Sequence, residues 1–274
     1  MILVSLLLVL ALERVTVKSP LWCFEYYFPR YMALLKGRVG FSGDVSVWKT
    51  LAVVIVPALL LQLTISVLNN GLLELLVSAA VLMICIGCPK QRAAYKNYLQ
   101  AANRGDTEAC CLYAEQLGHD PERGMSVGQT LVWVNYRFYS AVIIWFAIFG
   151  APGALLYVLS RNMLRYAEHH QLTVTSKLHD WVKVLDWVPV RITTFGFVFM
   201  GHFSKAFPVW MAYLVEPEPS ALKILSDVGK AAEETPVDEN DLAQEPCTLV
   251  RLAKRNLLFI LVLISLLTLG GLIS

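Results

Sequence analysis

Apolar residues in this chain are gathered into long blocks, and polar residues mark where the blocks stop. Met1 to Leu12 is apolar and Glu13-Arg14 close it. A bilayer span takes about 20 residues, so this block predicts a short membrane-entering helix, or an interfacial one continuing past Arg14. No basic residue precedes it and no small-x-small site follows, which argues against a cleaved signal peptide. Lys18 to Val47 mixes Trp22, Tyr26, Tyr27, Phe28 and Tyr31 with Lys18, Arg30, Lys36 and Arg38, the composition of a membrane interface. Thr50 to Leu68 and Leu72 to Cys88 are two further blocks joined by the turn signal Asn69-Asn70-Gly71. Residues 50–88 therefore predict a helical hairpin across the bilayer. Pro57 kinks its first helix, and Glu74 sits at headgroup level at the N-terminus of the second.

Polar stretches follow a different pattern. Between Gln91 and Gly118, Tyr95, Tyr98, Leu99 and Ala102 recur at helical spacing, Asn103 to Asp106 makes a turn, and Ala109 to Leu117 forms a second helix with Asp106 as its N-cap. His119 to Gly128 is a loop, so 90–130 is a helical pair plus loop. Residues 216–248 are acidic and loop-like, with Pro217, Pro219, Pro236 and Pro246, and with Glu233-Glu234 and Asp238-Glu239-Asn240-Asp241. Only Ala221 to Ala232 is helical there, and the rest predicts a solvated, mobile connection. Asn256 to Ile273 is a final apolar run long enough to span.

Residues 131–210 break the rule by carrying polar groups inside apolar surroundings. Asn135 and Arg137 open the stretch, Ala141 to Leu159 holds no Asp, Glu, Lys, Arg or His, and Asn162, Asp186, Arg191 and His202 follow. Such groups in a membrane protein line a protein-buried or water-filled site, which makes these six the candidate ligand-binding residues. The element Gly150-Ala-Pro-Gly153 interrupts the first apolar run. It reads either as packing and a kink or as a discontinuous helix whose freed backbone groups face a cavity. Asp186 and Arg191 equally fit a structural ion pair fixing two helix ends.

Composition sets the class. The chain has 274 residues, 57% hydrophobic and 16% charged, with a mean hydropathy of +0.57; soluble domains carry about a quarter charged residues. The expectation is an all-α, multi-pass membrane protein, one domain over 1–274, with interfacial or re-entrant helices. A net charge of +2 offers no footing for nucleic acid. Lys36, Arg38 and Lys49 precede the hairpin and Lys90, Arg92 and Lys96 follow it, while its turn has no Lys or Arg. The positive-inside rule then puts both flanks and the helical pair in the cytoplasm. Arg251, Lys254 and Arg255 likewise start the last helix there and leave the C-terminus outside.

Catalytic motifs are absent: no Gly-x-x-x-x-Gly-Lys, no Gly-x-Ser-x-Gly, no His-Glu-x-x-His. Cys85-Ile-Gly-Cys88 lacks a second ligand pair, so no metal and no cofactor are expected, and the six Cys form no disulfide framework. His169-His170 lie in a loop on this reading, and His202 alone of the five His adjoins the core.

Four segments carry a resemblance. Val134-Asn-Tyr-Arg-Phe-Tyr139, Leu185-Asp-Trp-Val-Pro-Val-Arg191, Gly201-His-Phe-Ser-Lys-Ala-Phe-Pro-Val-Trp210 and Tyr98-Leu-Gln-Ala-Ala-Asn-Arg-Gly-Asp106 look like the AmpE family, with matching length and hydropathy throughout. The resemblance implies a bacterial inner-membrane protein linked to β-lactamase induction and to cell-wall muropeptide recycling. It implies a sensor or modulator without catalysis, its partners being the bilayer, a protein of β-lactamase regulation, and a cell-wall-derived ligand or nucleotide. A more distant likeness reaches the cobalamin-biosynthesis CbiB/CobD synthases at Gly105-Asp106, Asn135, Pro152-Gly153-Ala154, Asn162, Pro189 and Arg191. Their acidic pair stands here as Val182-Lys183, and their Glu before the Asn as Val134. Amide-forming synthesis, and binding or transport of a cell-wall fragment, are the alternatives; no internal inverted repeat supports transport.

Overall fold

The computed structural model describes residues 2–16, 18–39, 46–67, 70–215, 219–233 and 241–271, and among them every regular element is a helix. Twelve α-helices follow in order: α1 (Ile2–Val15), α2 (Phe24–Val39), α3 (Val47–Val67), α4 (Gly71–Cys85), α5 (Pro89–Ala102), α6 (Thr107–Leu117), α7 (Val127–Asn135), α8 (Ala141–His169), α9 (Thr175–Met200), α10 (Phe203–Val215), α11 (Ala221–Ala232) and α12 (Gln244–Leu269). A π-helical turn, Tyr136–Ser140, links α7 to α8. The chain forms two compact units. Met1–Gly87, Ala141–Asp186 and Ile264–Ser274 make the first, and Cys88–Ser140 with Trp187–Leu263 make the second.

Local chemistry sets the helix ends. The Asn70 side chain accepts from the Leu72 N–H and starts α4, and that of Asp106 accepts from the Ala109 N–H at 3.0 Å and starts α6. Ser126 and Gln129 form a reciprocal capping box at α7. Gly118, at φ 88°, closes α6 in the left-handed conformation. The helical pair and α11 therefore stand where the sequence predicts them. Helix α12 does not: it starts at Gln244 rather than at Asn256. Pro246 and Glu245 in its first turn are helix-starting residues, and the acidic composition around them hides this. His169 likewise ends α8 instead of lying in a loop. Asn69, Glu216-Pro217-Glu218, and the acidic run 234–240 lie outside the described residues.

Among the described residues, three segments are long and apolar enough to cross a membrane: α3, α12, and the 43 residues Val127–His169; α4 with α5 makes a fourth if that pair, bent by 45°, is one span. A straight helix of 43 residues would be about 65 Å long against a hydrocarbon core of about 30 Å. The chain avoids this by folding at Gly150, whose φ 67° and ψ −155° are open only to glycine. A Cβ on Gly153 would lie 2.4 Å from the Trp145 carbonyl oxygen, whereas residues eight apart on a straight helix are separated by about 12 Å. Helix α8 is thus two half-helices, 141–149 and 151–169, doubled back on each other. Pro152 opens the second half, where its missing N–H costs nothing.

Proline also frees carbonyls elsewhere, because a helical proline cannot donate to the oxygen four residues before it. Pro57 leaves the Val53 oxygen free, and the Tyr31 hydroxyl donates to it at 2.7 Å. Pro189 leaves Leu185 free, and the Trp145 indole N–H donates at 3.3 Å. Just ahead of α12, the Leu242 carbonyl lies outside the helix and accepts from the Tyr98 hydroxyl at 2.9 Å. At Pro57 and Pro189 an aromatic donor from another helix thus replaces the missing bond and ties two helices.

Packing in the first unit centres on Phe28, Met32, Val54, Leu159, Met163 and Leu178, which bring α2, α3, α8 and α9 together. In the second, Tyr98, Ala101, Cys110 and Ala114 join α5 to α6, and amphipathic α11 buries Ile224, Leu225, Val228 and Ala232. A close crossing of α9 and α12 depends on Gly196, where a Cβ would fall 1.9 Å from the Asn256 Oδ1.

Candidate functional site

Glu13, Arg161 and Asp186, at 5%, 4% and 5% exposure, are buried in the apolar first unit. Burying a charge costs several kcal/mol unless partners compensate it, so these positions are where the unit spends stability on something other than packing. Glu13 stands near the end of α1. Lys18, just beyond, donates from Nζ to the Met83 oxygen at 2.7 Å and to the Ile86 oxygen, capping the C-terminal end of α4 where a cation is favoured. A Cβ at Gly87 would meet Glu13 Oε1 and Lys18 Nζ at 3.0 Å each, and φ is 91°. Only glycine fits this corner. Arg161 and Lys18 both act electrostatically on Cys85, the last residue of α4.

Helix α8 supplies the other side. Tyr157 and Arg161, four residues apart, share a face, and the Tyr157 hydroxyl donates to Asp186 Oδ1 at 2.9 Å. One residue before Arg161, the Ser160 hydroxyl accepts from the Trp181 indole at 3.0 Å. Second-half α8 and α9 are thereby clamped at two points. The set Glu13, Lys18, Tyr157, Arg161 and Asp186 balances two cations against two carboxylates.

Asp186 is the one sequence-predicted residue in this set. Asn162, 8% exposed, is in the same unit but five positions from Tyr157, about 140° around the helix, and its amide donates to the Val158 oxygen at 2.8 Å. Asn135, Arg137, Arg191 and His202 belong to the second unit. Half-buried Asn135 ends α7. The Arg137 guanidinium is 5.3 Å from the Trp133 ring centroid. Arg191 lies 4.2 Å over the Trp187 ring and donates to the Trp187 oxygen at 3.1 Å and to the Tyr213 oxygen at 3.5 Å. Exposed His202 donates its backbone N–H to the Ala232 oxygen at 2.7 Å, joining α10 to α11. A brace between two helix ends does not form at Asp186 and Arg191, because α9 runs unbroken through both.

Glu13, Lys18, Tyr157 and Arg161 escaped sequence reasoning, which took the first three for a helix stop, an interfacial anchor and part of an apolar run. Their signal is the four-residue spacing of Tyr157 and Arg161 on a helix with Leu159, Met163 and Leu164 around them. No group of three His, Cys, Asp or Glu converges among the described residues.

Long apolar helices, one of them folded back midway, and a buried charge-balanced cluster define a helical protein of membrane type. The chain belongs to the AmpE family: all of it, residues 1–274, matches the family described as regulatory signalling modulator protein AmpE. It is similar to "Protein AmpE" of Shigella flexneri, 31% identical over 290 residues, covering 99% of each chain. A local similarity, 30% identical over 73 residues, links 26% of this chain to 23% of "Cobalamin biosynthesis protein CobD" of Chromobacterium violaceum. No solved structure matches the chain.

Proposed function

We propose that this protein works in the bacterial inner membrane as a non-catalytic modulator of β-lactamase induction and the response to cell-wall damage. Its family membership supports a signalling role, and the full-length similarity to Protein AmpE of Shigella flexneri carries the reading. A modulator needs an element with two arrangements close in energy. Buried Glu13, Arg161 and Asp186, with half-buried Lys18, support one, because two cations and two carboxylates in one apolar unit leave room for more than one pairing. The hairpin flanks and the α5–α6 pair face the cytoplasm on this reading, within reach of a regulatory protein partner, and a cell-wall-derived ligand sets the state.

The experiment is β-lactam induction of β-lactamase in a deletion strain complemented with variants. Arg161→Lys keeps the charge but loses the planar fork. It is expected to insert and fold normally while altering induction several-fold. Unchanged induction in the deletion strain itself sinks the reading. The similarity to CobD favours a membrane amide-forming synthase as the second reading. Against it stand Val182-Lys183 and Val134, where those enzymes carry acidic residues.

A further inference from the structure

The fold of α8 at Gly150 borders a half-open cavity of about 150 Å³ against α1, α3 and α4. Ser5, Gln62, Glu74 and Ser78 supply its polar wall, and Phe146 and Phe149 its aromatic one. Glu74 is the only ionisable residue among those lining it. Space for about five waters fits a primary amine of a few carbons. We propose that this cavity binds the primary ammonium group of a small amine or of an aminophospholipid headgroup, with Glu74 as its counter-charge.

An ammonium has three N–H donors and no acceptor. Glu74, Ser78 and Gln62 supply acceptor oxygens to the lining, and Phe146 and Phe149 add aromatic rings of the kind that attract cations. The Phe149 ring is stacked on Trp145, 5.6 Å between centroids at 14°. A bare divalent metal fits worse, since it takes six or more oxygen ligands and this wall offers one carboxylate. The wall also has a positive pole. Residues 151–169 begin here, and the start of that half-helix favours negative charge beside it. An amine carrying its own anionic group, as an aminophospholipid does, then meets both poles. The inference goes beyond the signalling reading and stands without it.

Full-length protein in nanodiscs of phosphatidylcholine and phosphatidylglycerol is titrated with propylamine, with propanol as the neutral control; in a second arm, phosphatidylethanolamine replaces phosphatidylcholine. The readouts are Tm and amide hydrogen exchange. Binding is expected to raise Tm saturably and to slow exchange at 71–78 and 150–153. A response to propylamine identifies a free amine, and a response only in the second arm identifies a headgroup. Glu74→Gln should weaken the response at least tenfold. Ser78→Leu keeps the charge and occupies the space, so it should also abolish the response; it decides the matter if Glu74→Gln does not fold. Equal effects of propanol and propylamine overturn the proposal, as do silence in both arms and wild-type binding by both variants.

Discussion

At the scale of single residues, Tyr31 shows how a side chain substitutes for a backbone bond. Tyr31→Phe strands the Val53 carbonyl, which should cost about 1–3 kcal/mol and lower Tm. Pro57→Ala returns the missing N–H, so in that background the same change should cost much less; a double-mutant cycle measures the difference. Burial also pushes the Tyr31 hydroxyl above its ordinary 10.0. The folded state therefore holds this proton more tightly than the unfolded chain. Its contribution is complete below pH 10 and is lost as pH rises through the raised value. Melting curves of wild type should fall in that alkaline window, and those of Tyr31→Phe should fall less. Cys110 and Cys111 give a second contrast. Cys110 is buried, and burial raises its thiol, while Cys111 is exposed. Maleimide should modify Cys111 in the folded protein at least tenfold faster than Cys110, as read by mass spectrometry.

Among the elements, α8 was only half legible beforehand. The sequence Gly150-Ala-Pro-Gly153 showed a break, but a kink and a reversal share the same residues. Only the proximity of Gly153 to the Trp145 oxygen decides between them. Gly150→Ala should destabilise the protein by about 1–3 kcal/mol, since an L side chain is strained at that φ and ψ, and thermal melts will show it. Helices with local signals, α6 with its Asp106 cap and α11 with its amphipathic face, were legible within a residue or two. The start of α12 was not, because its first two turns are polar and a hydropathy reading begins only where the apolar run does. Arg161 was missed for a related reason. Near the end of an apolar run an arginine reads as topology, and only tertiary packing shows that it is buried.

For the whole molecule, the sequence supports the helical class and the apolar segments, while orientation rests on charge bias alone. A single cysteine at Asn70, in a chain stripped of its native thiols, should react with an impermeant maleimide added outside intact spheroplasts. One at Asp106 should react only after lysis; early labelling there overturns the orientation. The two proline-linked ties bear on how such a protein is made. In each, the aromatic donor precedes the carbonyl along the chain: Tyr31 before Val53 and Trp145 before Leu185. A ribosome feeding this chain into the membrane releases every orphaned oxygen after its partner has already emerged. Vectorial synthesis thus never delivers the gap before the group that fills it.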